Sequence, residues 1–543
     1  MAVTTERNRW IGLIFISLAV SIIIVDGTIV NVALPSIIDD LSISSTEVQW
    51  VQESYTLVFA ALLLVFGTLG DRWGRRRLLI IGIVIFAASS VAAAFADSGT
   101  TLILARTVQG LGGAMILPAT LSTLNATFTG KERGIAFAVW GSTIGGMAAV
   151  GPLLGGWLTT YFSWRWAFGI NIPLGIIIII GLMLYVRATR ADGHVGIDGV
   201  GAVLSVLMSA TLVFGLIEGR TFGWWLAEPG VAFGDWQWPF ELSPIPIAFA
   251  ITLTTASLFI WWGVRRERAG QSTMLNFSLF RIPSFRNGNL AALIVSMGEF
   301  GILLSLALWI QNVLRYDALQ TGFLLLAIAV GSFAASGIAG GFRDRLQPIL
   351  MVRLGIAAEI VGLVILALSI GVGTPWWAIA GALLIYGLGV GLATAQLTNV
   401  VLQDVPRQAS GQASGTQSTA RQIGSALGIA VLGTVLFTSL GASLDARLTD
   451  LGVPSDTRSQ IVATVVNSSG GAIPAIEAQS PDAADAAREA FSEATRLSAF
   501  TAAGFLVVGL IASLRLHGRV EDDEVTNSAS TASGEPGAAE AKP

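Results

Sequence analysis

Gly67-Thr68-Leu69-Gly70-Asp71-Arg72-Trp73-Gly74-Arg75-Arg76-Arg77 joins two apolar runs, residues 51–70 and 78–95. Each run matches the roughly 20 apolar residues that a membrane-crossing helix needs. A connection this short makes the two helices antiparallel neighbours. Its arginines also predict which side of the membrane it occupies, because short Lys/Arg-rich loops stay cytoplasmic. A degraded copy, Gly340-Gly-Phe-Arg-Asp344-Arg345-Leu-Gln-Pro348, follows the second apolar run of the last six. A repeat at the matching place in each half is the mark of a duplicated transport unit.

Composition agrees. Of 543 residues, 53% are hydrophobic and 12% charged, about half the charge fraction of a soluble chain. The apolar residues form blocks of about twenty rather than amphipathic stripes. With no cysteine, disulfides, thiol catalysis and Cys-ligated metals are excluded. His194 and His517 fall in loop or tail sequence, so a histidine metal site is not expected. No Gly-Lys-Ser/Thr phosphate loop occurs, which argues against ATP drive. The N-terminal apolar run is too long for a signal peptide, contains Asp26 and lacks a small-x-small cleavage site, so it is expected to be a retained first span.

The pattern predicts an all-α integral membrane protein with fourteen spans: about 10–31, 50–70, 78–96, 101–123, 135–159, 166–186, 197–218, 245–264, 288–311, 319–341, 349–370, 376–399, 417–440 and 496–515. Lys131 and Arg133, Arg187 and Arg190, Arg265, Arg266 and Arg268, Arg343 and Arg345, and Arg407 share a face with the 67–77 loop. Short loops on the other face carry only Arg165, Arg220 and Arg315. Both termini are therefore expected in the cytoplasm. The domains expected are a six-helix bundle over 1–190, two linker spans over 191–287, a second six-helix bundle over 288–516 and a disordered tail over 517–543. The Trp-rich loop 219–244 suits the outer interface. Residues 441–495 are expected to be an outer loop with an Ala-rich helical part, 482–496.

Further stretches carry a specific likeness. Span one contains Asp26-Gly-Thr28-Ile-Val-Asn31-Val-Ala33-Leu-Pro35, and span four contains Arg106-Thr-Val-Gln109-Gly110-Leu-Gly112-Gly113-Ala114. Span five contains Gly151-Pro152-Leu-Leu-Gly155-Gly156, and Trp164-Arg165-Trp166 leads to Asn171-Ile-Pro173. In order, and together with the 67–77 loop, these resemble the fourteen-span drug:proton antiporter branch of the major facilitator superfamily, over nearly the whole chain. The resemblance implies two six-helix bundles plus two inserted helices, and proton-coupled export of amphipathic, cationic drugs. It makes Gly151, Pro152, Gly155 and Gly156 an antiporter motif. Two positions depart: Met147 stands where the span-five motif begins with glycine, and Ala327 where many relatives have proline.

Charges at mid-bilayer cost about 2.5–3.5 kcal/mol on insertion scales, so they mark partners or wet cavities. Asp26 and Arg106 are expected to face a common cavity and exchange a proton for substrate. Glu299 and Glu359 are the comparable acids of the second half. Arg421, at the start of span thirteen, is accounted for by snorkelling to headgroups. In the 67–77 loop, Gly67, Asp71, Arg72, Gly74, Arg75 and Arg76 are expected to form a conformational latch, Asp71 pairing with arginine or capping a helix N-terminus of the other half. Pro152 is expected to bend span five. Small-molecule substrate, protons and lipid are the expected partners of a monomer in the cytoplasmic membrane. No cofactor, metal or nucleic acid is expected. Export of a metabolite, self-made antibiotic or lipid by the same scaffold is the alternative, and a non-transporting sensor or scaffold the second.

Overall fold

The computed structural model describes residues 6–43, 45–188, 196, 198–228, 230–233, 236–341 and 346–514. Among them, fourteen helices are long and apolar enough to cross a membrane. In chain order these are α1 Glu6–Leu41, α2 Ser45–Trp73, α3 Arg75–Ala94, α4 Gly99–Thr127, α5 Gly130–Tyr161, α6 Asn171–Tyr185, α7 Gly199–Glu218, α8 Pro244–Arg268, α9 Pro283–Asn312, α10 Ala318–Gly341, α11 Pro348–Ser369, α12 Trp376–Leu402, α13 Ser410–Asp450 and α14 Pro481–Ser513. A helical turn, Arg165–Gly169, leads into α6. Local chemistry marks the starts. Proline opens α8, α9, α11 and α14, where its missing N–H would be unpaired anyway. Ser98 and Ser480 accept from backbone N–H groups at the heads of α4 and α14. Gly74, at φ 98°, makes the turn between α2 and α3, a conformation that favours glycine. The degraded repeat Arg343-Asp344-Arg345, His194 and the C-terminal tail 517–543 lie outside the described residues.

The first six and last six helices pack in the same way. In the first set α1 lies on α5 and α6, α4 on α2 and α3, and α3 on α6. In the second, α9 lies on α13 and α14, α12 on α10 and α11, and α11 on α14. The contacts between sets are also reciprocal: α5 packs on α10, and α13 on α2. The duplicated sequence thus builds two bundles related by an internal two-fold. The pair α7 and α8 packs together, with α7 set against α2 and α13.

Within segment 441–495 the Ala-rich part expected to be helical, 482–496, lies in α14, while the stretch before it is helical where loop was expected. Helix α13 has 41 residues, about 60 Å at 1.5 Å per residue, twice the thickness of a hydrocarbon core. It therefore continues past the membrane to Asp450. Helices Ser455–Asn467 and Ile473–Glu477 follow, and α14 begins at Pro481. Leu440, Leu444, Leu448, Val465 and Phe491 bury the apolar faces of this hairpin, and Arg447 pairs with Glu493 at 3.3 Å on its surface. The amphipathic pattern, not the loop composition, decides the structure here. Pro152 lies inside a helix that is assigned continuously from Gly130 to Tyr161.

Candidate functional site

Asp26 and Arg106 come together, but against each other rather than along open space. Arg106 Nη1 donates to Asp26 Oδ2 at 2.5 Å and to Gln109 Oε1 at 2.7 Å. Its Nε donates to the backbone carbonyl of Val51 at 3.1 Å, and its guanidinium lies 4.3 Å from the Tyr55 ring centroid. Asp26 Oδ1 accepts from Gln109 Nε2 at 2.7 Å and Asn171 Nδ2 at 2.9 Å. Both amides also donate to Ser90 Oγ. Asp26 is 0% exposed and Arg106 1%. Five helices, α1, α2, α3, α4 and the head of α6, therefore close one ionic network. The expectation of a shared cavity is corrected: the space between these side chains is filled by Gln109 and Asn171.

The second acid site is built differently. Glu299, on α9, matches the helix that carries Asp26 in the first bundle. Its Oε1 accepts from Thr394 Oγ1 at 2.8 Å, and its Oε2 from Arg421 Nη2 at 3.4 Å. Tyr386 O–H donates to the Glu299 backbone carbonyl at 3.2 Å. Glu359, on α11, is 0% exposed, yet neither carboxyl oxygen has a hydrogen-bond partner among the described residues. Its charged neighbours are Glu299 and Arg421. Arg421 is a second correction. Snorkelling accounts for it only if span thirteen begins near 417. The helix begins at Ser410, which puts Arg421 about three turns inside, where it meets Glu299.

Most hydrogen bonds between the two bundles are gathered at the end that carries the arginine-rich loop, with Ser332 Oγ donating to the Ser142 carbonyl at 3.3 Å deeper in the α5–α10 contact. Asp71 is 2% exposed. Its carboxylate accepts from the backbone N–H of Gly411 at 2.8 Å and of Gln412 at 3.1 Å, in the first turn of α13. Arg75 Nη2 donates to it at 2.9 Å. An acid on a helix N-terminus gains from both the unpaired N–H groups and the helix dipole. Gly67 allows the approach: a methyl group there would sit 2.6 Å from Gly415 Cα. Asn125 Nδ2 donates to Ser410 Oγ at 2.9 Å, and Arg133 Nε to Asn399 Oδ1 at 2.9 Å. Arg76 donates to the Val186 carbonyl at 2.9 Å, while Arg72 is exposed.

The connector after α8 joins the same end. Thr68 Oγ1 donates to the Met274 carbonyl at 2.8 Å. Gln412 Nε2 donates to the Thr273 carbonyl at 3.1 Å, and Gln412 Oε1 accepts from Asn276 N–H at 3.2 Å. The inserted pair is thereby tied to both bundles. Sequence reasoning gave no role to Gln109, Asn171, Thr68 or Gln412. Gln109 and Asn171 stood in the quoted motifs, where a buried amide beside an acid was the signal; Thr68 and Gln412 had none.

In the span-five motif, Gly151 and Gly155 face α1. A methyl on Gly151 would collide with the Thr28 hydroxyl, and one on Gly155 would sit 2.9 Å from the Ile29 carbonyl. On the adjoining face, a methyl on Gly156 would lie 3.3 Å from Leu319 Cα, on α10. The motif thus seats α5 tightly between the two bundles, immediately beyond Asp26 on α1.

Comparison with known proteins agrees with this architecture. Residues 16–429 match the family described as Major Facilitator Superfamily. The chain is 33% identical to the probable actinorhodin transporter of Streptomyces coelicolor over 74% of its own length and 68% of that protein. It is 31% identical to the multidrug efflux pump LfrA of Mycolicibacterium smegmatis over 75% of its own length and 77% of that protein. Among solved structures, the human organic anion transporter MFSD10 superposes with a TM-score of 0.57 at 12% identity, covering 94% of this chain and 100% of that one, a likeness of fold alone.

Proposed function

The chain belongs to the major facilitator superfamily, and on that premise we propose that it exports amphipathic, cationic drugs or toxic compounds across the cytoplasmic membrane in exchange for protons. The basic end is the cytoplasmic end, and both termini lie there. The observation that carries the reading is the placement of a buried acid on the first helix of each bundle, beside an interface most of whose hydrogen bonds gather at one end. Acids deep in a membrane protein are held for charge movement. Bundles that grip each other at one end through Asp71, Asn125 and Arg133 can release that grip and close at the other. Asp26 with Arg106, and Glu299 with Glu359, are the proton and substrate groups of the two bundles. Gly67, Asp71, Arg72, Gly74, Arg75 and Arg76 form the latch, and the span-five glycines keep the seal. A single polypeptide suffices.

The energetics support coupling. A proton-motive force of about 150 mV is worth roughly 3.5 kcal/mol per proton, equivalent to about a 300-fold electrochemical gradient of substrate when one proton enters per substrate exported. The similarity to a probable actinorhodin transporter favours a second reading, export of a self-made antibiotic by the same scaffold. One experiment tests both. The full chain in proteoliposomes is given ethidium, or a neutral polyketide, with and without an imposed pH gradient. Uptake of ethidium that rises severalfold with an inward-acid gradient is expected. Gradient-dependent uptake of the polyketide alone selects the second reading, and gradient-independent flux of either overturns coupling.

A further inference from the structure

Glu359 is the one acid of the candidate sites that the network does not reach. It is fully buried, both oxygens lack a partner among the described residues, and α12 presses against its backbone, where a methyl on Gly389 would sit 2.5 Å from Glu359 N. An unpaired carboxylate in such a place is strongly disfavoured relative to the neutral acid. The titratable and charged groups around it are Glu299 on α9, Tyr386 on α12 and Arg421 on α13. Two acids thus share one guanidinium, and that guanidinium, with Thr394, is turned to Glu299. Two ionised acids beside a single cation are disfavoured, because the one cation cannot neutralise both.

We propose that Glu299 and Glu359 hold a single proton between them, carried by Glu359 in this conformation, with Arg421 neutralising Glu299. This rests on the export reading and adds the division of labour within its second site. A further feature of α13 fits. Ser414, Gln417, Ser418 and Arg421 recur at helical spacing on one face, and the Oγ of Ser414 and Ser418 and the Oε1 of Gln417 are buried without partners among the described residues. That polar face runs from Arg421 toward the first turn of α13 and the Asp71 latch. When the latch opens, water can enter along it and the proton on Glu359 can leave to water, Arg421 then being shared by both carboxylates.

The test is infrared difference spectroscopy of the full chain in lipid at neutral pH, reading the carbonyl stretch of a protonated, buried carboxylic acid. The wild type should show that band, and Glu359→Gln should lose it. Glu299→Gln should lose it too, because Arg421 then has only Glu359 to neutralise. Arg421→Gln should gain a second band. A band that survives in Glu359→Gln, or one that Glu299→Gln leaves unchanged, overturns the shared proton. The readout needs no transport. A chain with this band pattern that moves no protons with substrate would refute the export reading and leave the pair standing. Proton-coupled flux without the pattern would do the reverse. Size-exclusion profiles separate loss of a band from loss of fold, and three independent variants keep the question decidable.

Discussion

The two bundles place an acid on equivalent helices and then treat it in opposite ways. Asp26 receives Arg106, Gln109 and Asn171 within 2.9 Å. Glu299 receives Thr394 at 2.8 Å and Arg421 only at 3.4 Å, and neighbouring Glu359 receives nothing among the described residues. A saturated ionic network in a low-dielectric interior is stable as a set and costly to break. An undersupplied one can change its protonation without dismantling its surroundings. The first bundle therefore holds a fixed charge pair in this conformation, and the proposal above assigns the second a carried proton. The two bundles share a helix arrangement and differ in the donors around each acid.

The largest effect that would break this contrast is on stability. Asp26→Asn leaves Arg106 buried without its counter-charge, a loss on the order of 3–5 kcal/mol. Glu359→Gln replaces a neutral acid by a neutral amide of like size and should stay within about 1 kcal/mol of wild type. In detergent the first should melt several degrees lower, the second near wild type, with both variants still inserted in the membrane. Equal losses would show that the two acids are held alike. Asp26→Asn should also abolish gradient-driven flux; unaltered coupling would remove Asp26 from the mechanism.

Access to the two sites differs as well, and the latch is the means of testing it. Hydrogen bonds to charged groups contribute about 1.5–3 kcal/mol each, so losing even one at Asp71 shifts the sealed state's population about tenfold or more. The chain contains no cysteine, so a single introduced one reports cleanly. With Ser414→Cys on the polar face of α13, thiol labelling from the basic end should rise about tenfold on adding Asp71→Ala or Gly67→Val. With Ser90→Cys, beside the Asp26 network, it should not change. Equal labelling at both positions would mean that the two bundles open their interiors alike.

The fold was legible because its signals are large. Apolar blocks of about twenty residues give the spans, and Gly67-x-Leu-x-Asp71-Arg72-x-Gly74-Arg75-Arg76 marks the inner turn. What escaped were polar residues buried for packing. Residues 410–417, Ser-Gly-Gln-Ala-Ser-Gly-Thr-Gln, read as a loop by hydropathy, yet they are the first turns of α13, and their small side chains let α2 approach. Misplacing that helix start moved Arg421 from the interior to the interface and hid the partner of Glu299. Residues 441–480 misled for the reverse reason: they bury enough apolar face to form helices while averaging too polar for a span, whereas the alanine-rich stretch 482–496 was legible as helix. In the candidate site, the acids were visible as charges where lipid forbids them, but their donors, Gln109, Asn171 and Thr394, are neutral residues whose role appears only when distant helices meet.

The smallest expected effect comes from an acid outside the membrane-spanning segments, and it isolates the variable that separates Asp26 from Glu359. Asp40 accepts from Arg165 Nη1 at 2.5 Å and Trp164 Nε1 at 3.0 Å, with its side chain 46% exposed. Those two donors, Arg165 first, hold its carboxyl below the usual carboxylate range, against a small opposing cost of burial. A group with a depressed folded pKa stabilises the fold above its unfolded value and loses that contribution as pH falls through the folded one. Asp40→Asn should therefore lower the melting temperature slightly at neutral pH, and the difference from wild type should vanish as the pH is taken below the ordinary carboxylate range. Solvent screening keeps the effect small. A difference that persists at low pH would mean that shape, not charge, holds Trp164 and Arg165 to α1. Donor supply would then fail, at its most accessible example, as the property that sets one carboxyl apart from another in this protein.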